Sequence, residues 1–199
     1  MPWIPHMMIL DDDTRVLDSL MPSFANDLAR ALGRSPAAGA SLRQGDTNAG
    51  GGAKTIQIKV TAHGYDSERL ASYRHRSPYH VHLHLVRERG GRFDLARRLL
   101  NEQLFAVVVS DLRFSDDAGG QRAGQLFIDE MARVHPEVQG LLYSAYPPPE
   151  GFPPDRFIRK GADTSGGPDL ADAAVSAVER HLHDPSIAAF VAAIADHGL

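Results

Sequence analysis

The sequence predicts an α/β domain with a doubly wound parallel sheet, and three observations predict it. Short apolar runs rich in β-branched residues recur along the chain, with Phe105-Ala106-Val107-Val108-Val109 the most apolar of them. Stretches with apolar residues at helical spacing stand between the runs. Four of the runs stop at residues able to do chemistry: Asp11 and Asp12, Asp111, Ser144, and Lys160. Alternating strands and helices imply a parallel sheet covered on both faces, with any ligand site at the carboxyl ends of the strands.

Each element has its own signal. Met7 to Leu10 reads as a buried strand ending in Asp11-Asp12-Asp13. Val16, Leu17, Leu20, Phe24, Leu28 and Leu32 repeat at helical spacing and predict a helix over 14–33, with Asp13 as its cap. Residues 34–53, rich in Gly, Ala and Ser, predict a flexible loop. Ile56, Ile58 and Val60 alternate with polar residues, as do Tyr79, Val81, Leu83 and Leu85, so two half-buried strands are expected. Further helices are expected over 92–104, 121–134 and 168–183. Further strands are expected from Val138 to Tyr143 and from Arg156 to Arg159, with the proline-rich stretch 147–154 between them.

Composition narrows the function classes. The 199 residues include no cysteine, which excludes disulfides and thiolate metal sites. No apolar run approaches the length of a membrane span, and Met1 to His6 lacks the pattern of a secretory leader, so the expected compartment is the cytoplasm. The formal net charge is −4, but residues 54–98 carry ten basic against four acidic side chains. That segment is therefore +6 and the remainder −10, an asymmetry that suggests a protein-binding face more than a nucleic-acid site. Histidines 80, 82 and 84 would share one face of a strand, where imidazoles can bind Zn²⁺ or Cu²⁺ or simply face solvent.

Three carboxylates near one point are tolerable where a hard divalent cation such as Mg²⁺ joins them, and an adjacent ammonium and hydroxyl suit a phosphoryl group. The motifs Ile9-Leu10-Asp11-Asp12-Asp13, Val109-Ser110-Asp111-Leu112-Arg113, Leu142-Tyr143-Ser144-Ala145-Tyr146 and Phe157-Ile158-Arg159-Lys160, in this order, resemble the receiver domain of two-component response regulators. The resemblance covers about residues 5–33 and 92–183. It implies a flavodoxin-like five-stranded sheet and a single-domain response regulator that takes a phosphoryl group on Asp111 from a histidine kinase or phosphotransfer protein. Mg²⁺ would be held by Asp11, Asp12, Asp111 and the Arg113 carbonyl. Ser144 and Lys160 would contact the phosphoryl group, Phe157 would be the switch aromatic, and Arg113 and Tyr146 would tune autodephosphorylation. The receiver would span 1–183, with an insertion at about 34–91 in the form of a β-hairpin-like segment and a C-terminal helical extension at 184–199.

Three departures qualify the resemblance. The stretch 34–91 is far longer than the family's link at that point, the proline-rich route from Ser144 to Phe157 predicts loss of the fourth helix, and Gly161 stands where proline is usual. Output would then be a contact with an unidentified protein target, a homodimer being open. The rival reading is a phosphorylation-independent pseudo-receiver acting as a binding module. A weaker one is a haloacid-dehalogenase-like phosphatase with Asp11 as nucleophile and Asp13 as acid, which leaves Asp111 unexplained.

Overall fold

A computed structural model describes residues 4–35, 56–71, 73, 75–77, 80–114, 120–161, 168–185, 187 and 189. The chain forms strands β1 (His6–Asp11), β2 (Ile56–His63), β3 (His75–Ser77), β4 (His82–Arg87), β5 (Phe105–Ser110), β6 (Gln139–Ser144) and β7 (Phe157–Arg159). Helices are α1 (Thr14–Arg34), α2 (Glu68–Ala71), α3 (Asp94–Glu102), α4 (Ala123–Val134) and α5 (Pro168–His183). The strand order is β3-β2-β4-β1-β5-β6-β7, with β3 antiparallel to β2 and every other pairing parallel.

The apolar runs become inner strands because both of their faces are covered. All six residues of β5 are buried, as are Met7 to Asp11 of β1. On one face α1 and α5 pack Leu17, Phe24, Leu28, Leu170 and Val178 against Met7, Ile9, Leu83 and Val107. On the other, α3 and α4 pack Leu99, Phe127 and Met131 against Met8, Leu10, Val86 and Val108. Helices on both faces make the sheet doubly wound. Asp13 caps α1 as expected, its carboxylate accepting the Arg15 backbone N–H at 2.9 Å. Phe93 precedes α3 with φ +54° and no capping bond of its own. Buried Glu88 supplies the cap instead, accepting the Ala96 N–H at 2.8 Å.

The stretch 34–91 differs from expectation. The two alternating segments pair parallel, Lys59 opposite His82 and Thr61 opposite His84, and do not form a hairpin. Residues 64–81 return the chain to the starting edge of the sheet, a link long enough for a parallel crossover. Among the described residues the sheet therefore has seven strands, six of them parallel, where five were expected. Moreover β4 lies between β2 and β1, with Leu83, His84, Leu85 and Val86 buried, so it belongs to the core and not to an outward appendage. Without β2 and β3, the order β4-β1-β5-β6-β7 is the doubly wound order 2-1-3-4-5.

Between β6 and β7 the chain makes a single turn of 3₁₀ helix, Pro154–Arg156, and no α-helix, in keeping with its prolines. The loop expected over 34–53 lies outside the described residues from 36 onward, as do most of 184–199, the candidate C-terminal extension.

Candidate functional site

The sheet reverses its winding between β1 and β5, and that is where the acids converge. Asp11 is the last residue of β1, and Asp111 directly follows β5. Lys160 directly follows β7, two strands away, and reaches back across the strand ends. Its ammonium lies 2.9 Å from Asp11 Oδ2 and 3.3 Å from Asp111 Oδ2. All three side chains are nearly closed to solvent, at 5, 14 and 7% exposure for Asp11, Asp111 and Lys160. Backbone bonds fix the geometry: the Asp13 N–H donates to Asp11 Oδ1 at 2.9 Å, the Leu112 N–H to Asp111 Oδ1 at 2.8 Å, and the Lys160 N–H to the Ser144 carbonyl at 2.9 Å.

The charges do not balance. Burial pushes the Asp11 carboxyl up to about 6; Lys160 pulls it part of the way back and Asp111 raises it again. Burial likewise raises Asp12, with repulsion from Asp111 and Asp13 adding to it. Burial works against the Lys160 ammonium, but Asp11 and Asp111 outweigh that and hold its pKa above the ordinary lysine value. Asp11 and Asp111 share one ammonium, and burial of Asp11 and Asp12, with like charge beside them as the lesser cause, makes their ionised forms costly. An oxygen-rich, under-neutralised set of this kind fits a hard divalent cation, which takes carboxylates and carbonyls as ligands.

The remaining expected residues take varied places. Ser144 is fully buried, joined to Lys160 through its backbone, and its hydroxyl accepts the Tyr146 N–H at 3.4 Å. Arg113 sits in the loop after Asp111, and its guanidinium stacks on the Tyr146 ring at 3.4 Å from the centroid, forming one rim of the site. Phe157 is half-buried against the core under α3 and α4. Asp13 is occupied by its cap and by the Arg15 guanidinium at 2.8 Å.

Three positioning residues carry no sequence signal of their own. The Arg87 guanidinium donates from Nε to the Asp12 carbonyl at 3.2 Å, and the Glu88 N–H donates to the Asp11 carbonyl, also at 3.2 Å. Gly124, in the first turn of α4, lies so close beneath Asp111 that a Cβ there would stand 1.7 Å from the Asp111 carbonyl oxygen. A glycine inside a helix costs stability relative to alanine, and here the backbone approach explains it. Within the basic segment Arg89 is exposed and Arg87 is half-buried in the site; the side chains of Arg74 and Arg76 lie outside the described residues.

No family model matches the chain, and no curated protein or solved structure compared with it is significantly similar. No helix among the described residues is long and apolar enough to cross a membrane.

Proposed function

We propose that the chain is a receiver that accepts a phosphoryl group on Asp111. The observation that carries this reading is the Lys160 ammonium held between Asp11 and Asp111 at the switch point of a sheet containing the order 2-1-3-4-5. A carboxylate oxygen of Asp111 attacks the phosphorus of a histidine-kinase phosphohistidine. The P–N bond breaks, an acyl phosphate forms, and the donor imidazole leaves. Lys160 shifts its ion pair from Asp111 to a phosphoryl oxygen, so charge formerly on the carboxylate remains neutralised as it moves outward. The Ser144 hydroxyl turns from the Tyr146 N–H to donate to a second phosphoryl oxygen. The Arg113–Tyr146 stack sits at the rim, where it governs the approach of the water that hydrolyses the acyl phosphate.

Asp11, Asp12, Asp111 and the Arg113 carbonyl would hold Mg²⁺. When bound, that ion neutralises charge on the transferring phosphoryl group. The proline-rich segment replaces the helix between β6 and β7, so the output surface is a protein contact elsewhere, and a cytoplasmic location suits a kinase-coupled receiver.

The test is incubation with acetyl phosphate and Mg²⁺, followed by mass-spectrometric mapping. Wild type should gain one phosphoryl group on Asp111, and Asp111→Asn should gain none while keeping its circular dichroism. Equal labelling of the Asn variant would sink the mechanism. Turnover dependent on Asp11 would support the phosphatase, and no reaction of wild type would support a pseudo-receiver binding module.

A further inference from the structure

At the opposite end of β1, about 16 Å from Asp11 at ~3.3 Å per residue, lies a cluster of imidazoles that phosphoryl transfer does not use. His6 opens β1, while His82 and His84 stand on the adjacent β4, with His6 and His82 in register. One ring nitrogen from each lies within 4.8 Å of one from each of the others. His6 Nδ1 and His84 Nε2 are 2.9 Å apart. The side chains point to the sheet face carrying Met8, Leu10 and Val86, by the two-residue alternation of strands. The helix α2, next to the inserted strands, contributes its Leu70 to the other core, so this face of β2 and β4 is polar: Lys59, Thr61, His63 and the two β4 histidines.

The histidine trio differs from the one that the sequence suggested. His80 precedes β4 and lies outside it; His6 takes its place from the neighbouring strand.

We propose that His6, His82 and His84 form a binding site for a borderline transition-metal dication, Zn²⁺ in the first instance. Four arguments support it. In a tetrahedral site with Zn–N bonds of about 2.0–2.1 Å, ligand nitrogens stand about 3.3 Å apart, so the His6–His84 pair at 2.9 Å has only to open slightly while the remaining ring nitrogens, all within 4.8 Å, draw in. The rings are held from behind: the His84 Nδ1 meets His63 Nε2 at 3.0 Å, and the His82 Nε2 meets the Thr61 hydroxyl at 2.9 Å, the outer contacts that orient metal-ligating imidazoles. His6 Nδ1 and His84 Nε2 already face each other in a hydrogen bond at 2.9 Å, so an entering cation would displace the shared proton and take both nitrogens as ligands. No carboxylate belongs to the trio. Mg²⁺ and Ca²⁺, which need oxygen ligands, are thereby excluded in favour of an ion that bonds to imidazole. His84 is buried while His6, His63 and His82 remain partly open, which leaves an entry path and a fourth position. Such an ion would tie β1 to β4 and thus anchor the inserted edge of the sheet.

The experiment uses the full chain, with Zn²⁺ titrated against a chromophoric chelator and Co²⁺ as a spectroscopic probe. Wild type should bind one Zn²⁺ in the presence of excess Mg²⁺, melt at a higher temperature with Zn²⁺ than without, and give the intense visible bands of four-coordinate Co²⁺. His84→Gln should weaken binding by more than about 100-fold and His63→Gln, which acts through His84, by about 10- to 100-fold. His6→Gln replaces a partly exposed residue at a strand end, so it reports on the site even if His84→Gln fails to fold. Asp111→Asn should bind Zn²⁺ as wild type does. The proposal is overturned if His6→Gln binds as tightly as wild type, or if native wild type binds no more tightly than the same chain in urea, whose ten histidines provide the nonspecific baseline.

Discussion

Replacing Asp11 by asparagine should stabilise the metal-free protein at neutral pH and leave it unchanged near pH 4. Asp11 is 4% exposed, and burial is the main cause that lifts its carboxyl to about 6 from an ordinary 3.8. The folded state therefore holds the proton more tightly than the unfolded chain. Stability from this group is fully present below about pH 4 and lost as pH rises through about 6. A difference of about two pH units corresponds to about 3 kcal/mol, at about 1.4 kcal/mol for each. The neutral side chain of Asp11→Asn recovers that loss without changing shape. Lys160 retains Asp111 at 3.3 Å, so its ammonium keeps a partner. The gain at pH 7.5 should be about 1–3 kcal/mol, or a melting temperature higher by about 2–12 °C in a chain of this size. Saturating Mg²⁺ should shrink the difference, because the dication neutralises the wild-type acids and not the amide. Urea denaturation at pH 4 through 8, with and without Mg²⁺, measures all of this. A variant that is less stable than wild type at pH 7.5, or equally shifted at pH 4 and 8, would refute the electrostatic account of the site.

Two further outcomes test the packing around the site. Gly124→Ala would drive a methyl group into the Asp111 carbonyl and the Ser110 hydroxyl; it should cost about 1–3 kcal/mol in urea denaturation and slow acyl-phosphate formation, and an alanine variant with wild-type stability would disprove the close approach. Deleting residues 64–90 with a Gly-Ser bridge should abolish cooperative unfolding, because it removes β4 from between β2 and β1; a folded, phosphorylatable deletion product would mean that the inserted strands do not belong to the core.

How much of this was legible in the sequence follows from what each kind of residue is constrained by. Inner strands are buried on both faces, so β1 and β5 had to be continuous apolar runs, and each run's interruption marks a carboxyl end. Parallel pairing brings those ends to one side of the sheet. That is why the sequence pattern alone brings together Asp11 and Lys160, 149 positions apart, which stand at 2.9 Å. The helix α1 was legible from its apolar spacing alone, and the cap at Asp13 from its side-chain chemistry. Alternation in β2 and β4 told only that one face is buried; it says nothing about the direction of the partner strand, so the hairpin expectation failed where a parallel crossover was made. Gly124, Glu88 and Arg87 act through backbone groups of residues far along the chain, and no periodicity marks them. The imidazole cluster falls between these cases. Strand alternation correctly put His82 and His84 on one face, but His6 joins them through the register of β1 against β4, which a single sequence does not specify. Strand ends announce themselves because the apolar pattern stops there. A site within the sheet depends on lateral register, and so only the fold reveals it.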